Sequence, residues 1–162
     1  DSSNPDNERY LNPINITETF GVAKSIIKEE KREWTARIGA GFRQHINRGL
    51  LVDNEEETKT TNDGGFEFVT EFKTPLLQER INLTSKLIVF EALFNSESDE
   101  LKGLENENYW KYPDVNWENI FTANITEYLM VNLYIQILYD KEIDSDVRLK
   151  QTLSLGLTYK LL

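Results

Sequence analysis

Val147-Arg148-Leu149-Lys150-Gln151-Thr152-Leu153-Ser154-Leu155-Gly156-Leu157-Thr158-Tyr159-Lys160-Leu161 is the cleanest of seven stretches that alternate apolar and polar residues. In an extended chain successive side chains point to opposite faces. Val147, Leu149, Leu153, Leu155, Leu157, Tyr159 and Leu161 therefore share one face, and Arg148, Lys150, Thr152, Ser154, Gly156, Thr158 and Lys160 share the other. A strand this long with one apolar and one polar face needs two different surroundings. Lipid outside a barrel and a polar lumen inside supply both.

Working outward from this stretch, strands are expected over 13–23, 33–47, 64–74, 80–94, 115–127, 130–141 and 147–161. The first carries Ile14, Ile16, Phe20 and Val22 on one face, interrupted by Glu18. The second opposes Trp34, Ala36, Ile38, Ala40 and Phe42 to Thr35, Arg37, Gly39, Gly41 and Arg43. The third opposes Phe66, Phe68 and Phe72 to Glu67, Val69, Glu71 and Lys73. In the fourth, Ile81, Leu83, Leu87 and Val89 oppose Asn82, Thr84 and Lys86 until the pattern fails near Phe90. The fifth sets Val115, Trp117, Phe121, Ala123 and Ile125 against Asn116, Glu118, Thr122, Asn124 and Thr126. The sixth sets Val131, Leu133, Ile135, Ile137 and Tyr139 against Asn132, Tyr134, Gln136 and Asp140. Helix competes for 76–94 and 130–139, but period 2 and the β-branched and aromatic content favour strand. These lengths exceed the usual mode of about 5–6 residues and suit tilted strands that cross a bilayer in roughly 9–11 residues.

The connections alternate: 24–32, 75–79 and 128–129 are compact, whereas 48–63, 95–114 and 142–146 are longer or more acidic. Outer-membrane barrels pair short periplasmic turns with longer extracellular loops, so the C-terminus is expected on the periplasmic side. Charge follows the same division. Residues 1–12, 53–63, 95–114 and 140–146 carry −2, −4, −4 and −3, together exceeding the whole chain's net −10. Strands and inner turns are thus net positive.

Composition narrows the class. The 162 residues suit one domain, 1–162. Mean hydropathy is −0.53, and no apolar run approaches the roughly 20 residues of a membrane helix. Cysteine is absent, which excludes disulfides and thiolate metal sites. The acidic balance and the lack of a basic patch argue against nucleic acid. The chain opens on Asp1-Ser2-Ser3 rather than a secretory signal, as expected of a processed or truncated exported protein. Seven strands would place the two ends on opposite sides of the membrane, while single-chain bacterial barrels hold an even number. Residues 1–12 contain one proline, with a second following at Pro13, and no alternation; they read as an extracellular loop or an incomplete N-terminal part. The chain is accordingly expected to be the C-terminal portion of a larger barrel, unable to close alone.

Three strings carry a family resemblance: Trp34-Thr35-Ala36-Arg37-Ile38-Gly39-Ala40-Gly41-Phe42-Arg43-Gln44, Pro113-Asp114-Val115-Asn116-Trp117-Glu118-Asn119-Ile120-Phe121, and Tyr139-Asp140-Lys141-Glu142 with the run from Val147 to Tyr159. Together they resemble the C-terminal part of a Bacteroidetes family of outer-membrane proteins carrying the domain of unknown function DUF3078. The resemblance spans most of 33–162. It implies an exported barrel of a Gram-negative bacterium, with no assigned activity. Many outer-membrane proteins end in an aromatic residue; this chain ends Lys160-Leu161-Leu162.

No catalytic set emerges. His45 is the only histidine, so neither a histidine metal cluster nor a triad can form, and it reads as a rim residue. Glu67 and Glu71 share a strand face about 13 Å apart, too far for the roughly 5–10 Å of a glycosidase pair. They read better as partners of Arg37 and Arg43 on the neighbouring strand. The acidic stretches, including Glu55-Glu56-Glu57 and Asp144-Ser145-Asp146, match no calcium-loop pattern; sharing divalent cations with lipopolysaccharide is the more plausible role. Trp34, Trp110, Tyr112, Trp117, Tyr128 and Tyr139 fall near strand ends, as in an aromatic girdle. The triplets at Asn15, Asn82 and Asn124 lie within strands and read as polar inner residues rather than glycosylation sites.

The expectation is therefore an all-β, antiparallel up-and-down transmembrane barrel in a bacterial outer membrane. It would be a narrow pore or a structural, surface-interaction barrel, with no enzymatic activity, cofactor or metal, and with lipid and lipopolysaccharide as partners. Arg37, Arg43, Glu67, Glu71, Lys86, Glu118, Arg148 and Lys150 would face the lumen. Leu133, Ile135, Ile137, Leu153, Leu155 and Leu157 would face lipid. The competing expectation is a soluble, lipocalin-like barrel with its apolar faces around a ligand; there Trp34, Phe66, Phe121 and Tyr134 would meet the ligand or its surroundings.

Overall fold

The computed structural model describes residues 12–52 and 55–157, with backbone alone for 49–52 and 55–57. The expectations for 1–11, for Asp53 and for the end of the last strand (158–162) lie outside these, as do the side chains of Glu55-Glu56-Glu57. Among the described residues seven strands form one antiparallel sheet in sequence order: β1 (Ile14–Lys28), β2 (Glu33–Val52), β3 (Glu55–Leu76), β4 (Ile81–Asn95), β5 (Asp114–Asn124), β6 (Leu129–Asp140) and β7 (Asp144–Leu157). The sheet is not closed: β1 and β7 each pair on one side only.

The largest departure from expectation concerns 48–63. The described residues among them, 48–52 and 55–63, are strand rather than loop. β2 and β3 continue as a tall hairpin, with ladder pairs running from Arg43↔Asp63 through Asn47↔Lys59 to Val52↔Glu55. Period 2 is missing from the sequence there for a physical reason. Alternation records a difference between two faces, and a hairpin projecting beyond the apolar zone meets water on both. β1 likewise continues to Lys28, leaving a four-residue turn, and the β6–β7 turn shrinks to 141–143. Of the three long connections expected, only 96–113 remains long among the described residues. It contains a 3-10 turn at Tyr109–Lys111.

Two local features bend the sheet. Between Gly64 and Gly65 the β3–β4 register slips, pairing Gly65 with Ala92 and Gly64 with Phe94, so Leu93 is bulged out. A Cβ on Gly65 would stand 2.0 Å from the Glu91 carbonyl oxygen, so only glycine permits this approach. Alternation already fails before this bulge, because Ile88 and Phe90 are apolar at positions on the polar face; past the bulge the side-chain parity of β4 inverts. The β3–β4 turn holds Leu77, Gln78 and Glu79 at φ 49°, 57° and 71°, three consecutive left-handed residues without a glycine.

Register shows how the apolar set crosses the sheet. Val22, Ile38, Phe68, Val89, Val115 and Tyr139 form one continuous ladder row. Val22 ends the apolar set of β1 on the side of the β1–β2 turn, whereas Tyr139 ends that of β6 at the opposite end of the sheet. The belt therefore runs obliquely, its centre drifting about eight residues over five strand-to-strand steps, all of it between β1 and β4. At about 3.3 Å per residue and 4.8 Å per step this is a tilt of about 45°. The belt occupies nine residues on each of four strands, at 34–42, 81–89, 115–123 and 131–139, and the described part of β7 carries it from Val147 to Leu157.

Candidate functional site

Arg43 on β2 and Asp114 on β5 meet at 2.6 Å, although two strands lie between them. In a flat sheet three steps and their four-residue offset would separate the two positions by about 19 Å, beyond the reach of both side chains. The sheet must curl toward the face that carries them. That concave face is the polar one. By register it holds Arg37, Arg43, Glu67, Glu71, Lys86, Glu118, Arg148 and Lys150 together.

Several of these residues pair. Arg37 donates to Glu67 at 2.8 Å, and Glu67 is only 7 % exposed. Lys86 stands 3.5 Å from Glu71. Arg43 does not take a β3 glutamate as expected; its guanidinium lies 3.6 Å over the Phe90 ring and reaches on to Asp114. Phe90 is the largest fully buried side chain, at 2 % exposure. Gly41 leaves the space for the ring: a Cβ there would meet it at 2.9 Å. Asn116 donates to Glu118 and accepts from Gln136, both at 3.0 Å. Arg43, Asp114, Asp140 and Arg148 line one cavity of about 320 Å³. Arg148 and Lys150 have no carboxylate within 4 Å among the described residues, and the buried Nε of Arg148 has no hydrogen-bond partner.

The acidic end forms the mouth of the concave face. Asn95 donates to Asp63 at 2.7 Å and accepts from the Glu97 amide at 2.7 Å. Lys59 and Thr61 hold Glu97 at 2.9 and 2.7 Å. Burial opposes ionisation of Glu97, yet these contacts keep its carboxyl below the usual range. Lys141 stacks on Tyr112 and Tyr109, 3.7 and 4.8 Å from their ring centres, pinning the long loop to the β6–β7 turn. In that turn Glu142 is pushed up to about 7, first by burial, then by the charges of Asp63, Asp140, Asp114 and Glu97. Its own surface reaches solvent, but protein crowds it on the mouth side. Among the described residues no group of three acids, histidines or cysteines is arranged to hold a metal. His45 contacts Asn15 across β1–β2, as a rim residue would.

The convex face carries the apolar belt, including Leu133, Ile135, Ile137, Leu153, Leu155 and Leu157. Phe20 is 87 % exposed and Leu157 82 %, and Val69 and Phe90 are the only buried apolar side chains among the described residues. Polar groups within the belt satisfy one another. Trp34 Nε1 donates to Thr70 at 2.8 Å, and Trp117 Nε1 to Ser85 at 3.0 Å, which in turn donates to Asn119 at 2.8 Å. Trp117 thus lies within the belt and Trp110 in the long loop, so the expected girdle is not a single ring. Near the acidic end the Leu93 bulge opens an apolar groove of about 560 Å³ beside Phe42, Phe66 and Phe94, with Glu18 at its edge. Sequence reasoning missed Asp114 and Phe90, whose partners lie on distant strands; the broken alternation at Phe90 was the only trace. No protein-family model, no curated protein and no solved structure matches the chain.

Proposed function

We propose that this chain is a non-enzymatic barrel protein of a bacterial outer membrane, or part of one, whose lumen is closed by its own ion pairs. The observation that carries the reading is the inversion of a soluble core. Most large apolar side chains lie on the convex face, in a belt that water would penalise and lipid would not. Belt height and tilt support it: spanning strands need roughly 9–11 residues and lean about 35–45°. The mutual hydrogen bonding of Trp34, Thr70, Trp117, Ser85 and Asn119 also suits a medium that supplies no partners.

Inside, Arg43–Asp114 reaches across the concave face with Phe90 beneath it, which favours a structural or surface-interaction barrel over a conducting pore. The acidic end and the β2–β3 hairpin would stand outside, among lipopolysaccharide headgroups and their divalent cations. The resemblance to the DUF3078 family, resting on the three quoted strings, supports a Bacteroidetes outer membrane. A lipocalin-like protein would require the apolar set on the concave face, opposite to its position here.

The test is phase dependence. The chain should acquire strand circular dichroism in detergent micelles or bilayers and aggregate in plain buffer; a monodisperse folded protein in buffer would overturn the membrane reading. In planar bilayers it should give no steady single-channel current. Defined conductance steps would overturn the closed lumen alone.

A further inference from the structure

Both outer strands carry an unused backbone ladder among the described residues. They are also the most exposed apolar strands, with Phe20 and Val22 on β1 and Leu153, Leu155 and Leu157 on β7. Residue 12 does not turn back to cover the β1 edge: Asn12 donates to the Arg48 carbonyl at 2.9 Å and accepts from the Arg48 amide at 2.8 Å, continuing along β2.

We infer that the β1–β7 gap is a binding site for one antiparallel peptide strand, apolar at alternate positions and bearing carboxylates at the inward positions opposite Arg148 and Lys150. Three observations fix its terms, on the premise that the belt lies in lipid. Curvature limits the number of strands: Arg43 of β2 reaches Asp114 of β5 across the concave face and shares one small cavity with Arg148 of β7, so the interior is only about two side chains wide. An interior just filled by side chains belongs to a ring of about eight strands. Direction sets parity. β1 and β7 run the same way in an antiparallel sheet, so they cannot pair antiparallel with each other, and one strand between them completes both ladders. Charge sets the chemistry. The inward face of β7 presents Arg148, with its buried unpartnered Nε, and Lys150, whereas that of β1 is neutral (Asn15, Thr17, Thr19, Gly21, Ala23). A second copy fits poorly. In one membrane orientation its β1 would meet this β7 in parallel, and fourteen strands would undo the curvature that joins Arg43 to Asp114.

The test uses the full chain in detergent micelles and a synthetic strand of about eleven residues that alternates Val/Leu with Thr, carries two Glu inward and bears one cysteine. The chain has no cysteine, so Thr19→Cys on β1 and Thr152→Cys on β7 each report one edge. Expected are saturable one-to-one binding, disulfide capture by both edge variants, and at least tenfold weaker binding when the peptide's Glu are replaced by Lys. Arg148→Glu/Lys150→Glu should reverse that preference; if this variant fails to fold, the Glu/Lys preference of the unaltered chain decides. No saturable binding by a chain whose strand signal is intact, capture at one edge only, or edge-to-edge disulfides between two copies that the peptide does not suppress would each overturn it. Folding in plain buffer instead would defeat the membrane reading while leaving peptide capture measurable.

Discussion

β7 and β4 sit in one sheet and read as opposites. From Val147 onward β7 alternates with only Gln151 out of place and ends up almost wholly exposed; β4 loses its pattern and holds the most buried side chain, Phe90. Clean alternation reports two uniform surroundings, one on each face. A broken pattern reports a place where the fold has put an apolar group on the polar side and bent the strand to do so.

The comparison breaks most readily at Phe90. Phe90→Ala removes a buried ring and the platform under Arg43, and should cost about 3–5 kcal/mol in a denaturant titration. A cost below about 1 kcal/mol would mean the ring does not organise the interior. On β7, Leu155→Arg should destabilise the bilayer-inserted state by about 2–4 kcal/mol, while Ser154→Arg, one residue away on the concave face, should cost much less. Equal costs would erase the distinction between the two faces.

A third prediction concerns the mouth. The Glu142 carboxyl titrates near 7 when folded and near its ordinary value of about 4.5 when unfolded. The protonated form favours the folded state, so its contribution is complete below about pH 4.5, declines as pH rises, and is gone above about 7. Glu97, shifted the other way, matters only at lower pH. Amide exchange in the 141–143 turn should quicken between pH 5 and 8 beyond the intrinsic chemical rate, and Glu142→Gln should remove the excess. The smallest effect is expected at the β3–β4 turn. Gln78→Gly relieves one left-handed residue and should stabilise the hairpin by about 1 kcal/mol; an unchanged or lowered midpoint would show that the turn carries no such strain.

Much of the sheet was legible from residues alone. All seven strands overlap their expected positions, β4, β5 and β6 to within three residues at both ends, because each has a belt segment with two unlike faces, and neighbouring stretches joined by short turns pair antiparallel. The third strand's outer half was not legible, since Thr58 and Thr60 on one face and Lys59 and Thr61 on the other are all polar, leaving nothing to alternate. Arg37–Glu67 could be anticipated from adjacent strands of complementary charge. Arg43–Asp114 could not, because it depends on how far the sheet curls over three steps, and no local pattern encodes that sum.

The sequence by itself determined the strand order, the two chemically distinct faces and the acidic end, all of which follow from period-2 alternation and from charge counted along the chain. Only the tertiary structure decided which face is concave, where the belt tilts, that Phe90 and the Arg43–Asp114 pair fill the concave side, and that the sheet of the described residues stays open between β1 and β7. Those features arise from register, a bulge at Leu93 and accumulated curvature, which are relations between strands rather than properties of any one of them.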